Sequence, residues 1–158
     1  DLKAFAPTYY QELCGAKLEH VQETLRNMKS LGVFVEVTTL IVPGLNDTPD
    51  ELEALAAFLV DDLGPDTPWH ISRFHPTYRL TDRPPTPVQT LRKAREIGLA
   101  AGLRYVYTGN VPGDTGENTF CPGCGELLIE RWGFRVQKLR VGDGRCGKCG
   151  MKIEGVWE

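Results

Sequence analysis

VFVEVTTLIVPGLND, residues 33–47, sets the architecture of this chain. Its first ten residues are rich in β-branched side chains and nearly continuous in apolarity, as expected for a strand buried on both faces of a parallel sheet. PGLND then reads as a turn. On either side the period changes from that of a strand to that of a helix. Upstream, Leu18, Val21, Leu25, Met28 and Leu31 recur at three and four residues, an amphipathic stripe that Gly32 stops. Downstream, Thr48, Pro49 and Glu51 form a T-x-x-E helix start with proline at the first helical position. Leu52, Leu55, Ala56, Leu59 and Leu63 supply the buried face, and Gly64-Pro65 ends it.

The cycle then repeats. WHISRF, residues 69–74, is a second strand; Thr86 and Gln89 are expected to cap a helix buried through Leu91, Ala94 and Ile97; Gly102 closes it before a third strand, LRYVY. Alternation of this kind implies an α/β fold with parallel strands joined by helical crossovers, either an open sheet or part of a (β/α) barrel. DLKAF at the start alternates charged and apolar residues, as the end of a further strand would.

Composition narrows the function. The chain has 158 residues, 41% hydrophobic and 25% charged, with a net charge of −3. This describes an ordinary globular chain and disfavours a sequence-independent nucleic-acid binder, which would carry a basic excess. The sequence shows no apolar stretch long enough for a bilayer and no signal-peptide pattern, so the expectation is a cytoplasmic protein without a membrane partner.

Four of the five cysteines form two near-identical knuckles, Cys121-Pro-Gly-Cys124-Gly and Cys146-Gly-Lys-Cys149-Gly, with 21 residues between Cys124 and Cys146. Glycine after each second cysteine allows a tight turn, and four thiolates can then meet in a tetrahedron. The expected unit is a zinc ribbon over residues 113–158, following an α/β region over 1–112, with Zn²⁺ as the ion and a single iron as the alternative. Cys14 stands apart. Between the knuckles, Arg131, Arg135, Lys138, Arg140 and Arg145 interleave with Trp132 and Phe134. Such a run suits nucleic-acid stacking, but the reading preferred for an acidic chain is that Trp132, Phe134 and Trp157 pack into the ribbon's small core.

Binding groups in parallel α/β folds gather at the C-terminal ends of strands. Those ends carry Asp1 and Lys3, the turn after residue 42, His75 in SRFHP, and YTGN at 107–110. Carboxylate, ammonium and imidazole on one rim suit a zwitterionic ligand, although solvated rim charges would look the same. Thr108, Asn110, Glu117 and Asn118 fit a pocket and a turn equally well.

DLKAF, YYQELCGAKLE, VEVTTLIVPGLND, WHISRFHP, YVYTGNVPG and GENTFCPGCGELLIER, in this order, resemble the C-terminal part of radical S-adenosylmethionine enzymes of the AmmeMemoRadiSam system, relatives of the pyruvate formate-lyase activating enzymes. The resemblance covers essentially the whole chain. It implies the C-terminal half of a partial (β/α)6 radical SAM barrel followed by the ribbon, with Asp1, Lys3 and His75 on one side of an S-adenosylmethionine site. VPGLND matches the activating enzymes' V-P-G-x-x-D, but Thr38 stands where they tend to carry an arginine. Such enzymes reduce S-adenosylmethionine at a [4Fe–4S] cluster held by Cys-x3-Cys-x2-Cys and abstract hydrogen with the 5′-deoxyadenosyl radical.

That cysteine motif is absent here. The expectation is a fragment whose first half lies before Asp1, inactive alone, with no catalytic residue of its own. The resemblance further implies an unidentified substrate, a protein by analogy with the activating enzymes, and functional association with Memo-like and AMMECR-like proteins. The alternative is a non-catalytic zinc-ribbon scaffold for protein interaction or nucleic-acid binding.

Overall fold

Strands β1 (Val37–Ile41), β2 (Trp69–Arg73) and β3 (Val106–Gly109) lie side by side in that order, all parallel, with Thr39 opposite Ile71 and Ile71 opposite Thr108. The structure is a computed structural model that describes residues 1–157. Helices α1 (Pro7–Tyr9) and α2 (Leu18–Ser30) precede β1, while α3 (Pro49–Phe58) and α4 (Val88–Ala101) make the two crossovers. Parallel neighbours require such connections, which is why the alternating periods were informative. Sequence patterning did not announce α1 or the π-helical turn Tyr10–Cys14 that continues it to Gly15, at φ 61°.

One face of the sheet forms the main core. Val37, Ile41, Trp69, Ile71 and Val106 pack with Leu52, Leu55, Leu59, Leu91 and Ala94. Trp69 is fully buried, and α4 approaches it so closely that a Cβ on Gly98 would sit 2.9 Å from its ring. The other face is only partly covered: Thr38, His70, Ser72 and Tyr107 are half-buried and Leu40 is exposed. Burial of β1 on both faces is therefore corrected, and residues 33–36 lie outside the ladder. A continuous apolar run shows that a segment suits a strand; which faces are covered depends on what packs there.

Several local expectations change in tertiary context. Thr48 makes no side-chain cap; instead Glu51 accepts hydrogen bonds from the Phe5 and Ala6 N–H groups at 2.8 and 3.2 Å, tying the first residues to α3. Thr86 does not cap α4, whose N-cap is Pro87. It is buried, accepting from the Phe74 N–H at 3.0 Å and donating to the Ile41 carbonyl at 2.6 Å. Both changes satisfy buried backbone groups between elements, which outweighs a local cap. In α2 only Leu18 and Leu25 are buried, and Leu31 is 81% exposed.

DLKAF is not a ladder strand, but it runs along β1. The Leu2 N–H donates to the Thr38 carbonyl at 3.0 Å and the Thr39 hydroxyl donates to the Leu2 carbonyl at 2.8 Å. Leu2 and Ala4 are buried while Asp1 and Lys3 are exposed, so the alternation seen in the sequence is realised.

After β3, a 3-10 turn at Thr115–Glu117 leads to a second sheet, β4 (Thr119–Phe120), β5 (Leu127–Trp132) and β6 (Arg135–Leu139), antiparallel and in that order. A two-stranded pair, β7 (Val141–Gly142) and β8 (Arg145–Cys146), follows. Its core comprises Tyr105, Cys121, Leu128, Ile129, Cys146 and Ile153. Trp132 and Phe134 are not in it: they are 61% and 107% exposed. Trp157 is 37% exposed, donating from its indole to the Ile153 carbonyl at 3.0 Å. Every residue of β6 is exposed, because the hairpin extends past the small core and none of the described residues forms a second layer over it.

Asp114 stitches the two parts together. One carboxylate oxygen accepts from the Thr108 hydroxyl at 3.0 Å and the Gly116 N–H at 2.9 Å; the other accepts from Arg92 of α4 at 2.9 and 3.0 Å. These donors hold its carboxyl below the ordinary range against the opposing effect of burial, which is the largest single influence.

Candidate functional site

The two knuckles are built alike. The Gly125 N–H donates to the Cys121 carbonyl at 2.9 Å and the Gly150 N–H donates to the Cys146 carbonyl at 2.8 Å. Both glycines have positive φ, 71° and 74°, a conformation that costs glycine little. The Cys121 and Cys146 N–H groups bond to the Glu126 and Met151 carbonyls at 2.8 and 2.9 Å.

This geometry gathers the Sγ atoms of Cys121, Cys124, Cys146 and Cys149 within 4.8 Å of one another. Across the knuckles, Cys121 and Cys149 are 3.6 Å apart and Cys124 and Cys146 3.7 Å. A tetrahedron of about 2.3 Å metal–sulfur bonds has edges of about 3.8 Å, so the donor set could hold one metal ion, zinc or iron. It does not fit a [4Fe–4S] cluster, whose thiolates bind separate irons and stand farther apart. Cys14 packs against the other core and offers no companion ligand.

The clustered thiols split in titration. Backbone N–H groups of Cys149 and Lys148 pull Cys146 down to about 7 against desolvation. Cys124 is pushed up to about 12: the Glu126 N–H is the largest single influence and lowers it, but desolvation and the three neighbouring thiols together prevail. Four thiols crowded together resist full ionisation, and a cation removes that resistance.

At the rim of the first sheet, Asp1 and Lys3 form an exposed ion pair at 2.9 Å. The Lys3 backbone is held from both sides: its N–H donates to the Tyr10 hydroxyl at 2.9 Å, and its carbonyl accepts from Asn46 at 2.6 Å. Asn46 is buried and also receives the Val42 N–H at 2.7 Å and donates to the Leu40 carbonyl at 2.9 Å. Tyr10 and Asn46 thus position the candidate lysine. The turn-like PGLND pattern marked Asn46 as a loop residue; its burial depends on the Lys3 segment lying against β1. His75 follows β2 and is exposed, while Asp1 and Lys3 pair with each other.

A second region was less visible in sequence. The open face of the sheet and the ribbon enclose a cleft of about 680 Å³, with Thr108, Asn110 and Glu117 in its lining. Tyr107 lines it too, stacked on His70 with ring centroids 5.1 Å apart. Arg131 reaches across from the ribbon, 5.7 Å from the Tyr107 ring, and donates to the Thr119 hydroxyl at 2.7 Å. Burial raises the Tyr107 phenol, partly opposed by its bond to Thr119 at 3.0 Å. Asn118 instead accepts the Arg131 N–H at 2.8 Å, a structural role.

Known proteins can be set beside this geometry. No family model matches the chain. Over 156 residues it is 53% identical to an uncharacterized protein of Methanocaldococcus jannaschii, matching 98% of this chain and 46% of that protein. The chain thus spans about half the length of this curated relative. A crystal structure of a domain of pyruvate-formate lyase-activating enzyme from Bacteroides vulgatus superposes with a TM-score of 0.60 at 17% identity, over 70% of this chain and 65% of that one. The likeness is one of fold. It relates the mixed α/β arrangement to an activating-enzyme domain, and the four-cysteine cluster near the C-terminus is a feature of this chain's own geometry. Among the described residues, no helix is long and apolar enough to cross a membrane.

Proposed function

We propose that this chain is the cofactor-wall part of a radical S-adenosylmethionine enzyme of the AmmeMemoRadiSam kind, a C-terminal barrel portion carrying a zinc ribbon. The fold likeness to a pyruvate-formate lyase-activating enzyme domain carries this reading. The order of motifs from DLKAF to the ribbon adds the specific kind. In this reading Lys3 pairs with the methionine carboxylate, Asp1 accepts from an ammonium or ribose hydroxyl, and His75 bonds to or stacks on the nucleoside. The rigid seating of Lys3 between Tyr10 and Asn46 supports that assignment. In this reading the clustered cysteines of this chain hold a single ion and not the radical cluster. The substrate is proposed to be a protein, by analogy with activating enzymes, in a cytoplasmic setting.

Titrating the metal-loaded chain with S-adenosylmethionine, followed by amide NMR, tests the reading. Saturable shifts are expected around residues 1–4 and 72–76, with affinity falling at least about fivefold in Lys3→Ala, the order expected for losing one charge-assisted contact. Absence of shifts at those positions would reject the assignment of Asp1, Lys3 and His75. Elemental analysis should return one zinc per chain; red ferric-thiolate absorbance would assign iron instead.

A further inference from the structure

The cleft between sheet and ribbon has a chemistry distinct from that of the rim. Four charged side chains line it, Glu36, Glu117, Arg131 and Glu154, together with the His70 imidazole. The three carboxylates and the imidazole are already engaged. Glu36 pairs with His70 at 2.8 Å, and Glu154 with Lys152 at 3.6 Å. Glu117, itself buried, accepts the Gly113 and Gly133 N–H groups at 3.2 and 3.1 Å. Arg131 differs: among the described residues no carboxylate lies within ion-pair distance of it. One guanidinium nitrogen is committed, to the Thr119 hydroxyl and the Glu117 carbonyl, at 2.7 and 3.3 Å. Among the described residues the rest of the donor fork has no hydrogen-bond or ion-pair partner, and a guanidinium is always charged.

The surroundings are aromatic. Tyr107 and His70, stacked on one another, line it with the partly exposed Phe34 and Trp157 and the fully exposed Phe134. Flat apolar surface next to an unmatched, pre-positioned guanidinium favours a ligand with a planar body and an anionic group. The neighbouring carboxylates already hold partners, His70 for Glu36, the Gly113 and Gly133 N–H groups for Glu117 and Lys152 for Glu154, so the open donors of the cleft are those of Arg131. The cleft is also large enough for a small organic molecule.

We infer that this cleft is a binding site for an aromatic or heteroaromatic anion, a carboxylate or phosphate ester whose charge pairs with Arg131 and whose ring lies on the Tyr107–His70 stack. The site draws on β2, β3 and the ribbon, and does not depend on the assignment of Asp1, Lys3 and His75. The ribbon thereby acquires a direct role, as the wall that supplies the charge.

The metal-loaded chain can be titrated with phenyl phosphate, benzoate, inorganic phosphate and phenol, reading amide shifts at Thr119, Gly133 and Gly155. Phenyl phosphate or benzoate should bind saturably and at least about tenfold more tightly than inorganic phosphate or phenol, since either fragment alone loses one half of the recognition. Preference for phenyl phosphate would identify phosphate esters as the ligand class, and preference for benzoate would identify carboxylates. Arg131→Gln should lower that affinity about tenfold or more, and Arg131→Lys should recover part of it. Unchanged Cys121 and Cys146 amides would confirm that the ribbon remains folded. Phe34→Ala, outside the ribbon, should weaken the aromatic anion and leave inorganic phosphate unaffected. No saturable binding by either aromatic anion, equal binding by phenol, or full affinity in Arg131→Gln would overturn the inference.

Discussion

The sheet formed by β1, β2 and β3 and the ribbon formed by β4 to β8 are held together by different physics. The first buries Trp69, Ile71, Leu55, Leu59 and Leu91 almost completely, and each such side chain contributes about 1.5–3 kcal/mol by leaving water. The second has a six-residue core, two of whose members are cysteines and one of which, Tyr105, comes from the segment leading into β3. Apolar burial can sustain the first part. In the second, Trp132, Phe134, Val136 and Leu139 stay exposed, and an ion held by the four clustered cysteines would supply stability that so small a core does not.

The largest test of this contrast is metal removal. Chelation, or Cys121→Ser, should unfold residues beyond about 118 while the first sheet persists, because metal binding to such sites is worth about 10–16 kcal/mol. Amide NMR should show ribbon resonances collapsing while Trp69 and Ile71 stay dispersed. A single transition destroying both parts would refute the division. The complementary test is Trp69→Ala, expected to cost about 3–5 kcal/mol in urea denaturation of the first part, with metal content of the still-folded protein unchanged.

The seam comes next in size. Asp114→Ala removes the acceptor for Arg92, Thr108 and the Gly116 N–H, and should cost about 2 kcal/mol by leaving buried donors unmatched. Because its folded carboxyl titrates below the unfolded value, Asp114 contributes stability above about pH 4, where the unfolded carboxylate is ionised. That contribution is lost as pH falls through the lower folded value. Thermal melts between pH 6 and 3 should therefore fall less steeply in Asp114→Asn than in the parent.

The smallest effect is expected at Phe134. Phe134→Ser should change stability by less than about 0.5 kcal/mol, since the ring is fully exposed. A loss of several times that would restore the idea that this ring belongs to the ribbon core.

Much of this was legible from residue order. Helical and strand periods located α2, α3, α4 and the three parallel strands to within a few residues, because each element must turn an apolar face inward at its own repeat. The knuckles announced themselves because paired cysteines with a following glycine are a local pattern, and the fold gathers their sulfurs. Less legible were the jobs of individual polar residues. Thr86, Glu51 and Asn46 all carried turn or cap signals, yet each serves a backbone group more than 40 residues away in the sequence: Ile41, Phe5 and Lys3.

The sequence by itself thus determined the classes of element and the two cysteine knuckles that the fold brings together, since both follow from short-range periodicity and spacing. Only the tertiary structure decided that β1 is covered on one face, that Trp132 and Phe134 stay in solvent, and that Arg131 lies over Tyr107 without a counter-charge. Burial and charge matching depend on neighbours brought together from distant parts of the chain, and no local pattern encodes which neighbours those are.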